Sequence, residues 1–448
     1  MAQTKLEVSF IGLGAMGFGM ATHLVKEGYS VTGFDVWGPT LDRFKEAGGK
    51  AAKTPAEAVQ GKDFCVCMVA TAQQAQAVLL DGESPAVPAL PQGATVLLCS
   101  TVPCAYVQSL EKQLVTLGRG DIYLVDAPVS GGAGRAADGT LSIMAGASDA
   151  AIEKGRDLLQ AMSDPKKLYI VKGGVGAGSN MKMCHQVLAA NQILSSSEVM
   201  GFASHLGLDL KKTSETIINS DGWSWMFENR LPRLLHPEHK PIASALTIIL
   251  KDTSIITSEA RRCKFATPMT SAAEQAYFTA LGRGWGPDDD ASLIRLYAEG
   301  KGKVGPVQGA AETEADKLSL VIALLKGIHL CSAAETLAFA KHVGLDLDQV
   351  YELCINAAGG SKMLESAGPE IMQAFQEGKA GSGWAATTDG SPLYLVIEEL
   401  QSAVEEAQRL KLPLFLGTQA LSIMRLAEQS LAEKSGLAAG SVVSVWVA

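Results

Sequence analysis

Residues 6–26 restrict the fold more than any other stretch of this chain. Leu6 to Ile11 alternates apolar and polar side chains before ending in Phe10-Ile11, the period-2 pattern of a strand. Gly12-Leu13-Gly14-Ala15-Met16-Gly17 follows at once, and Met20, Leu24 and Val25 then recur at helical spacing. Gly12 permits a tight turn, Gly14 lets main chain approach a pyrophosphate, and Gly17 lets the helix pack closely on the strand. The helix N-terminus offers unpaired N–H groups and the positive end of its dipole to phosphate. Further runs of strand type lie at Val31 to Phe34, Phe64 to Val69, Ala94 to Cys99 and Tyr123 to Val125, most of them separated by helical stretches. That alternation predicts an α/β domain with a doubly wound parallel sheet and helices on both faces.

Asp35 closes the second strand, 23 positions after Gly12. A carboxylate there accepts hydrogen bonds from the adenosine ribose and repels a 2′-phosphate, so a Rossmann domain binding NAD is expected, with NADP disfavoured. This domain takes 1–173, and the 448 residues leave room for about two more at roughly 150 residues each. A hydrophobic share of 47% with 19% charged residues suits large cores rather than disorder. The net charge of -9 offers no basic surface, so no nucleic-acid partner is expected. The longest apolar stretches are broken early: Leu318 to Leu325 is apolar apart from Ser319 and stops at Lys326, short of the roughly 20 residues a spanning helix needs, so no membrane partner is expected either. Met1 to Lys5 is short and polar, without a secretory pattern. Eight cysteines sit mostly inside apolar segments, such as Cys65 and Cys67, which fits reduced thiols in a cytoplasmic protein. A structural zinc wants four ligands, and Cys99 and Cys104 bring no His with them, so no metal is expected.

Four polar segments stand out from this background. They are Ser100-Thr101-Val102, the run Asp126-Ala127-Pro128-Val129-Ser130-Gly131-Gly132, the run Gly176-Ala177-Gly178-Ser179-Asn180-Met181-Lys182, and Lys251-Asp252. Gly131 and Gly132 allow backbone N–H groups to converge on an anion, with the Ser130 hydroxyl as a further donor. Lys182, His185 and Gln186 stand at i, i+3 and i+4 and share one helix face.

With the glycine loop, and in this order, the segments resemble the β-hydroxyacid dehydrogenase family over about residues 6–300. That family includes 3-hydroxyisobutyrate, tartronate-semialdehyde and L-threonate dehydrogenases, with 6-phosphogluconate dehydrogenase as a larger relative. The resemblance implies that Gly12, Leu13, Gly14, Ala15, Met16, Gly17, Asp35 and Thr101 bind the cofactor, with Lys251 near the nicotinamide. It implies that Ser130, Gly131 and Gly132 hold the substrate carboxylate and that Lys182 is the general acid/base. The substrate would then lie between the sheet domain and the first helical domain. Most members carry two Asn after the lysine. His185 and Gln186 stand there instead, as in the L-threonate dehydrogenase branch, which implies that they bind a polyhydroxy acid of about four carbons. To accept the hydroxyl proton the amine must be neutral, so its pKa must fall from about 10.4 through desolvation and nearby positive charge. In reverse the ammonium donates. An imine or semialdehyde reductase of the same superfamily would favour NADPH, which Asp35 opposes. A non-catalytic NAD-binding assembly module would have no need of Ser130-Gly131-Gly132 and Lys182.

The second half repeats itself. His205-Leu206-Gly207-Leu208-Asp209-Leu210 recurs 137 residues on as His342-Val343-Gly344-Leu345-Asp346-Leu347, and Glu198 meets Glu335 at the same offset. Glu259-Ala260 aligns with Glu406-Ala407 at an offset of 147, so an insertion lies between. Both copies have helical periodicity, which predicts two related all-α domains of the 6-phosphogluconate dehydrogenase C-terminal type, at 174–302 and 313–448. A long helix is expected from about Gly178 to Leu206, and a linker from Gly302 to Gly309. Ser319, Ile322 and Ala323 replace Lys182, His185 and Gln186, and Glu398 replaces Lys251, so one active site per chain is expected. Subunits of the family pack their helical domains together. The copy is therefore expected to stand in for a partner's domain, giving a pseudo-dimeric monomer, with an ordinary homodimer as the alternative. Leu320, Leu324 and Phe339 should then lie against the first copy.

Overall fold

The computed structural model describes residues 6–236, 242–298, 311–377, 391–431 and 436–446. The chain divides into two compact units, Met1–Lys182 and Met183–Ala448.

The first unit alternates strand and helix: β1 (Glu7–Ile11), α1 (Gly17–Lys26), β2 (Ser30–Phe34), α2 (Gly38–Glu46), β3 (Lys50–Ala51), α3 (Pro55–Val59), β4 (Phe64–Cys67), α4 (Ala72–Gln76), β5 (Thr95–Leu98), α5 (Cys104–Thr116) and β6 (Tyr123–Asp126). The strands form one parallel sheet in the order β3-β2-β1-β4-β5-β6, with Phe10 level with Gly33 and Val66. Phe10, Val66, Leu97 and Val125 face one core, whereas Ile11, Cys65, Cys67, Val96 and Leu98 face the other. Both faces are covered, so these short strands read as nearly continuous apolar runs. The strand order reverses beside β1, and Gly12 leaves the carboxyl end of that strand, where doubly wound sheets bind ligands. The expected doubly wound fold is therefore present.

Past β6 come β7 (Val129–Ser130), α6 (Gly132–Asp138), β8 (Leu141–Ala145), α7 (Asp149–Met162) and β9 (Ser163–Ile170). They add a second sheet, β7-β8-β9, antiparallel across its first pair and parallel across its second. Periodicity does not predict this sheet, because a two-residue strand shows no period.

The helices that follow are α8 (Ala177–His205), α9 (Leu210–Ile218), α10 (Trp225–Leu234), α11 (Leu246–Arg262), α12 (Pro268–Gly282), α13 (Arg295–Ala298), α14 (Glu314–His342), α15 (Leu347–Ile355), α16 (Lys362–Glu377), α17 (Leu393–Arg409) and α18 (Phe415–Ser430). α8 is the expected long helix, and its 29 residues span about 43 Å. α14 also has 29 residues and begins 137 positions later, and α15 follows α9 at the same offset. α17 and α18 follow α11 and α12 at 147. The expected linker at 302–309 lies outside the described residues.

The two helical copies pack by exchanging equivalent contacts. Trp225 N donates to Gly360 O at 2.9 Å, and Lys362 N donates to Trp223 O at 3.1 Å. Between them Ser224 and Ser361 form an antiparallel bridge. Each residue of one bond lies 137 positions from its counterpart in the other. Leu188 packs on Gly359 and Leu325 on Gly222, again equivalent pairs. Glu198 on α8 accepts from Leu416 N at 3.2 Å and Gly417 N at 2.9 Å, in the first turn of α18. Glu335 on α14 accepts from Met269 N at 2.7 Å and Thr270 N at 3.0 Å, in the first turn of α12. Each copy thus caps a helix of the other with the same buried carboxylate. Contacts in which residue i meets j while j's counterpart meets i's are the signature of a two-fold interface, here within one chain. Phe339 packs on Phe265 with ring centroids 5.2 Å apart, whereas Leu324 touches Gly417 inside its own copy.

Among the described helices α14 is long and apolar enough to cross a membrane, although the sequence run stops at Lys326. Lys326 is itself buried and paired with Glu399 at 2.8 Å, and 89% of the apolar window is buried by neighbouring helices. Packing accounts for its composition.

Candidate active site

The glycine loop is shaped before any ligand arrives. Gly12 has φ +93°, and a Cβ there would lie 2.3 Å from Met68 O, so no other residue fits the turn. Above Gly14 the space is open, with no heavy atom within 4 Å of where a Cβ would stand. Asp35, half-buried at the end of β2, accepts from Leu13 N at 2.7 Å through Oδ2 and from Trp37 N at 2.8 Å through Oδ1. It therefore ties the second strand to the loop, and each oxygen keeps a lone pair for an incoming hydroxyl. Ser100 Oγ accepts from Val69 N at 2.8 Å, joining the carboxyl ends of β4 and β5, and Thr101 follows half-buried at the same edge. An open backbone cradle at a helix N-terminus with a carboxylate one strand away fits a dinucleotide.

Asp126 organises the next part. It is fully buried, and its carboxylate accepts from Ser179 N and Ser179 Oγ, both at 2.7 Å. Ser179 lies in the first turn of α8, so Asp126 caps the helix that carries Lys182. Burial pushes the Asp126 carboxyl up to about 6, with the Ser179 donors pulling the other way. Gly178 completes the clamp: a Cβ there would lie 2.3 Å from Met144 O and 2.4 Å from Asp126 O. Only a glycine lets α8 start this close to the ends of β6 and β8. Ser130 comes four residues after Asp126, half-buried on β7, and Lys182 comes three after Ser179. Gly131 and Gly132 take φ of +143° and +74°, which turns the chain sharply after Ser130. Lys182 is 5% exposed. Burying an ammonium is costly unless a partner offsets the lost water.

The second unit holds the remaining candidates close together. Gln186 Nε2 donates to Asp252 Oδ2 at 2.6 Å, and Gln186 Oε1 meets His185 Nδ1 at 3.0 Å. Lys251 Nζ lies 3.0 Å from Asp252 Oδ1. His185, Gln186 and Asp252 are buried, and Lys251 is half-buried. Sequence reading assigns no role to Asp126 or Asp252, although both stand inside the quoted segments; their partners lie 53 and 66 positions away. Trp223 takes part in the exchange between copies and donates through Nε1 to Glu228 at 2.7 Å. In the second copy Ser319 is exposed, Ala323 is buried, and Glu399 is taken up by Lys326.

Comparison with known proteins agrees with this fold. Residues 7–174 match the family described as the NAD binding domain of 6-phosphogluconate dehydrogenase. Residues 176–297 and again 314–441 match the family described as NAD-binding of NADP-dependent 3-hydroxyisobutyrate dehydrogenase. An L-threonate dehydrogenase of Cupriavidus necator is 37% identical over 290 residues, which are 65% of this chain and 95% of that protein. The crystal structure of a 3-hydroxyisobutyrate dehydrogenase from Salmonella typhimurium, 31% identical, superposes with a TM-score of 0.59 over 65% of this chain and 100% of its own. The 6-phosphogluconate dehydrogenase of Plasmodium falciparum, 16% identical, shares the fold over 94% of this chain and 92% of its own with a TM-score of 0.68. The shorter relatives cover about two thirds of this chain, and the longer one covers 94% of it. This chain belongs to the β-hydroxyacid dehydrogenase family as an NAD(P)-dependent hydroxyacid dehydrogenase with an added C-terminal helical repeat.

Proposed function

We propose that the protein oxidises one hydroxyl of a small polyhydroxy acid of the threonate type, using NAD, with Lys182 as general acid/base. The observation that carries this reading is the buried Lys182 on a helix whose start is clamped by Asp126 and Gly178. The Ser130-Gly131-Gly132 turn supplies convergent donors for the substrate carboxylate. Lys182 takes the hydroxyl proton through Nζ as the carbon is oxidised, and returns it in the reverse direction. NAD, when bound, supplies the hydride acceptor. Asp35 holds its ribose hydroxyls and opposes a 2′-phosphate by like charge. His185, on the helix turn after Lys182, gives a polar reader for a second hydroxyl of the substrate. Thr101 and Lys251 border the cofactor.

The helical domains of this reading are 174–302 and 313–448, and the second serves in place of a partner subunit's helical domain. Its support is the reciprocal capping by Glu198 and Glu335.

The test is Lys182→Ala with two readouts. Turnover of threonate and related hydroxy acids should fall by about 10³-fold or more, since positioned acid–base groups contribute about 10²–10⁴. NAD binding, read by calorimetry, should persist at one site per chain. Turnover within a few fold of wild type would remove Lys182 from the mechanism.

A further inference from the structure

The turn after Ser130 carries a positive charge that the chain does not match. α6 follows this turn, and its setting is fixed from two sides. Ala136 is buried in the sheet core, and Gly19 of α1 sits so close that a Cβ there would lie 2.9 Å from Ala137 N. At the far end Arg135 O accepts from Gly139 N and from Thr140 N, the latter at 3.0 Å. So fixed, the helix lays Arg135 back over the residue one turn before it. A Cβ on Gly131 would lie 3.0 Å from Arg135 Cβ and 2.9 Å from its Cδ. The half-buried stem of Arg135 therefore runs along Gly131, and the guanidinium begins one bond beyond Cδ. On Gly132 and Gly134 a Cβ would meet no heavy atom within 4 Å, so the first turn of α6 is open.

Every other arginine of the chain has a hydrogen bond, an ion pair or an aromatic ring. Among the described residues Arg135 alone of the arginines has none of these. A shortage of acids does not explain it, since 47 acidic residues face 38 basic ones. Ser130, Gly131, Gly132 and Arg135 all belong to the first unit.

We infer that Arg135 is a further binding residue for the substrate carboxylate, its guanidinium reaching an anion held by the Ser130-Gly131-Gly132 turn. The planar fork of a guanidinium matches the two oxygens of a carboxylate, and it keeps its charge at every working pH. A turn of neutral donors accepts a carboxylate or a carboxamide alike, whereas the added charge selects the acid. The inference rests on the proposed function for the identity of the acid. The other anion such a group could hold is a phosphate of the cofactor, and the test separates the two.

The test uses the full-length wild-type chain, Arg135→Lys and Arg135→Ala, with L-threonate and its carboxamide as ligands. Alanine favours a helix, and calorimetric NAD binding reports that the first unit is folded. In Arg135→Ala the KM for threonate should rise about 10- to 100-fold, the worth of one charge-assisted contact. Its kcat should hold within a few fold, because the carboxylate is bound alike in ground and transition states. Arg135→Lys keeps the charge but not the fork and should fall between. The KM for the carboxamide should scarcely move. An unchanged KM for threonate in Arg135→Ala overturns the inference. Equal rises for acid and carboxamide mean that only packing on Gly131 was lost, and overturn it as well. Weakened NAD binding with threonate unaffected gives the guanidinium to a cofactor phosphate and again overturns it. The proposed function fails differently. If the wild type holds threonate by calorimetry in the presence of NAD but does not oxidise it, the reaction is wrong; loss of that binding in Arg135→Ala then leaves the inference standing, and its survival overturns it. A wild type that neither binds nor oxidises threonate overturns both.

Discussion

The reciprocal caps allow a sharp test through Glu198→Gln and Glu335→Gln. Each carboxyl sits fully buried against two backbone N–H groups, with the Tyr297 hydroxyl at 2.9 Å as a third donor to Glu198 and the Thr270 hydroxyl at 2.6 Å as a third donor to Glu335. Glutamine keeps the shape but offers one acceptor oxygen, so an N–H of the capped helix is left facing an NH₂. An orphaned buried donor costs about 1–3 kcal/mol. Burial pushes both carboxyls up to about 7, with the donors opposing that shift. A folded-state value above the unfolded one means that the native state binds the proton more tightly. The stability so gained is fully present below about pH 4.5 and is lost as pH rises through about 7. Each wild-type glutamic acid therefore loses about 2–3 kcal/mol of its contribution between pH 5 and pH 8, and glutamine loses none. Both variants should be about 2 kcal/mol less stable than wild type at pH 5, roughly 4–8 °C in Tm, and the gap should nearly close by pH 8. Thermal unfolding followed by circular dichroism at the two pH values measures this. A gap that widens at pH 8 would refute the assigned burial cost, and a response from only one of the two variants would refute the equivalence of the caps.

Two further outcomes follow from the same contacts. Asp35→Ser removes the carboxylate opposite a 2′-phosphate, and the ratio of kcat/KM for NADP to that for NAD should rise by about tenfold or more, since about 1.4 kcal/mol separates each decade; an unchanged ratio would mean that Asp35 only braces the Leu13 loop. Light scattering of the full-length chain at micromolar concentration should give the mass of one chain, 46.9 kDa, because the exchanged helical surface is already covered. A mass of two chains would show that a further surface remains to be paired, and would remove the substitution of copy for subunit.

Much of this molecule is legible in local pattern. The strand, glycine turn and helix of residues 7–26 announce the parallel sheet, because backbone period and the need for Gly12 are properties of a few consecutive residues. The same holds for the helical repeat, where equal helices recur at fixed offsets, and for the loss of the lysine at Ser319. The small sheet β7-β8-β9 escapes notice because β7 is two residues long.

What sequence alone determined, then, is the kind of fold, the family and the order of its motifs, all of which rest on short-range periodicity and residue type. Tertiary structure decided which groups meet. Asp126 finds Ser179, Asp252 finds Gln186, and Glu198 finds Gly417 across 53, 66 and 219 positions. No periodicity links such partners. A carboxylate pairs with whatever donors the packed core leaves without water, and only the folded chain determines which those are.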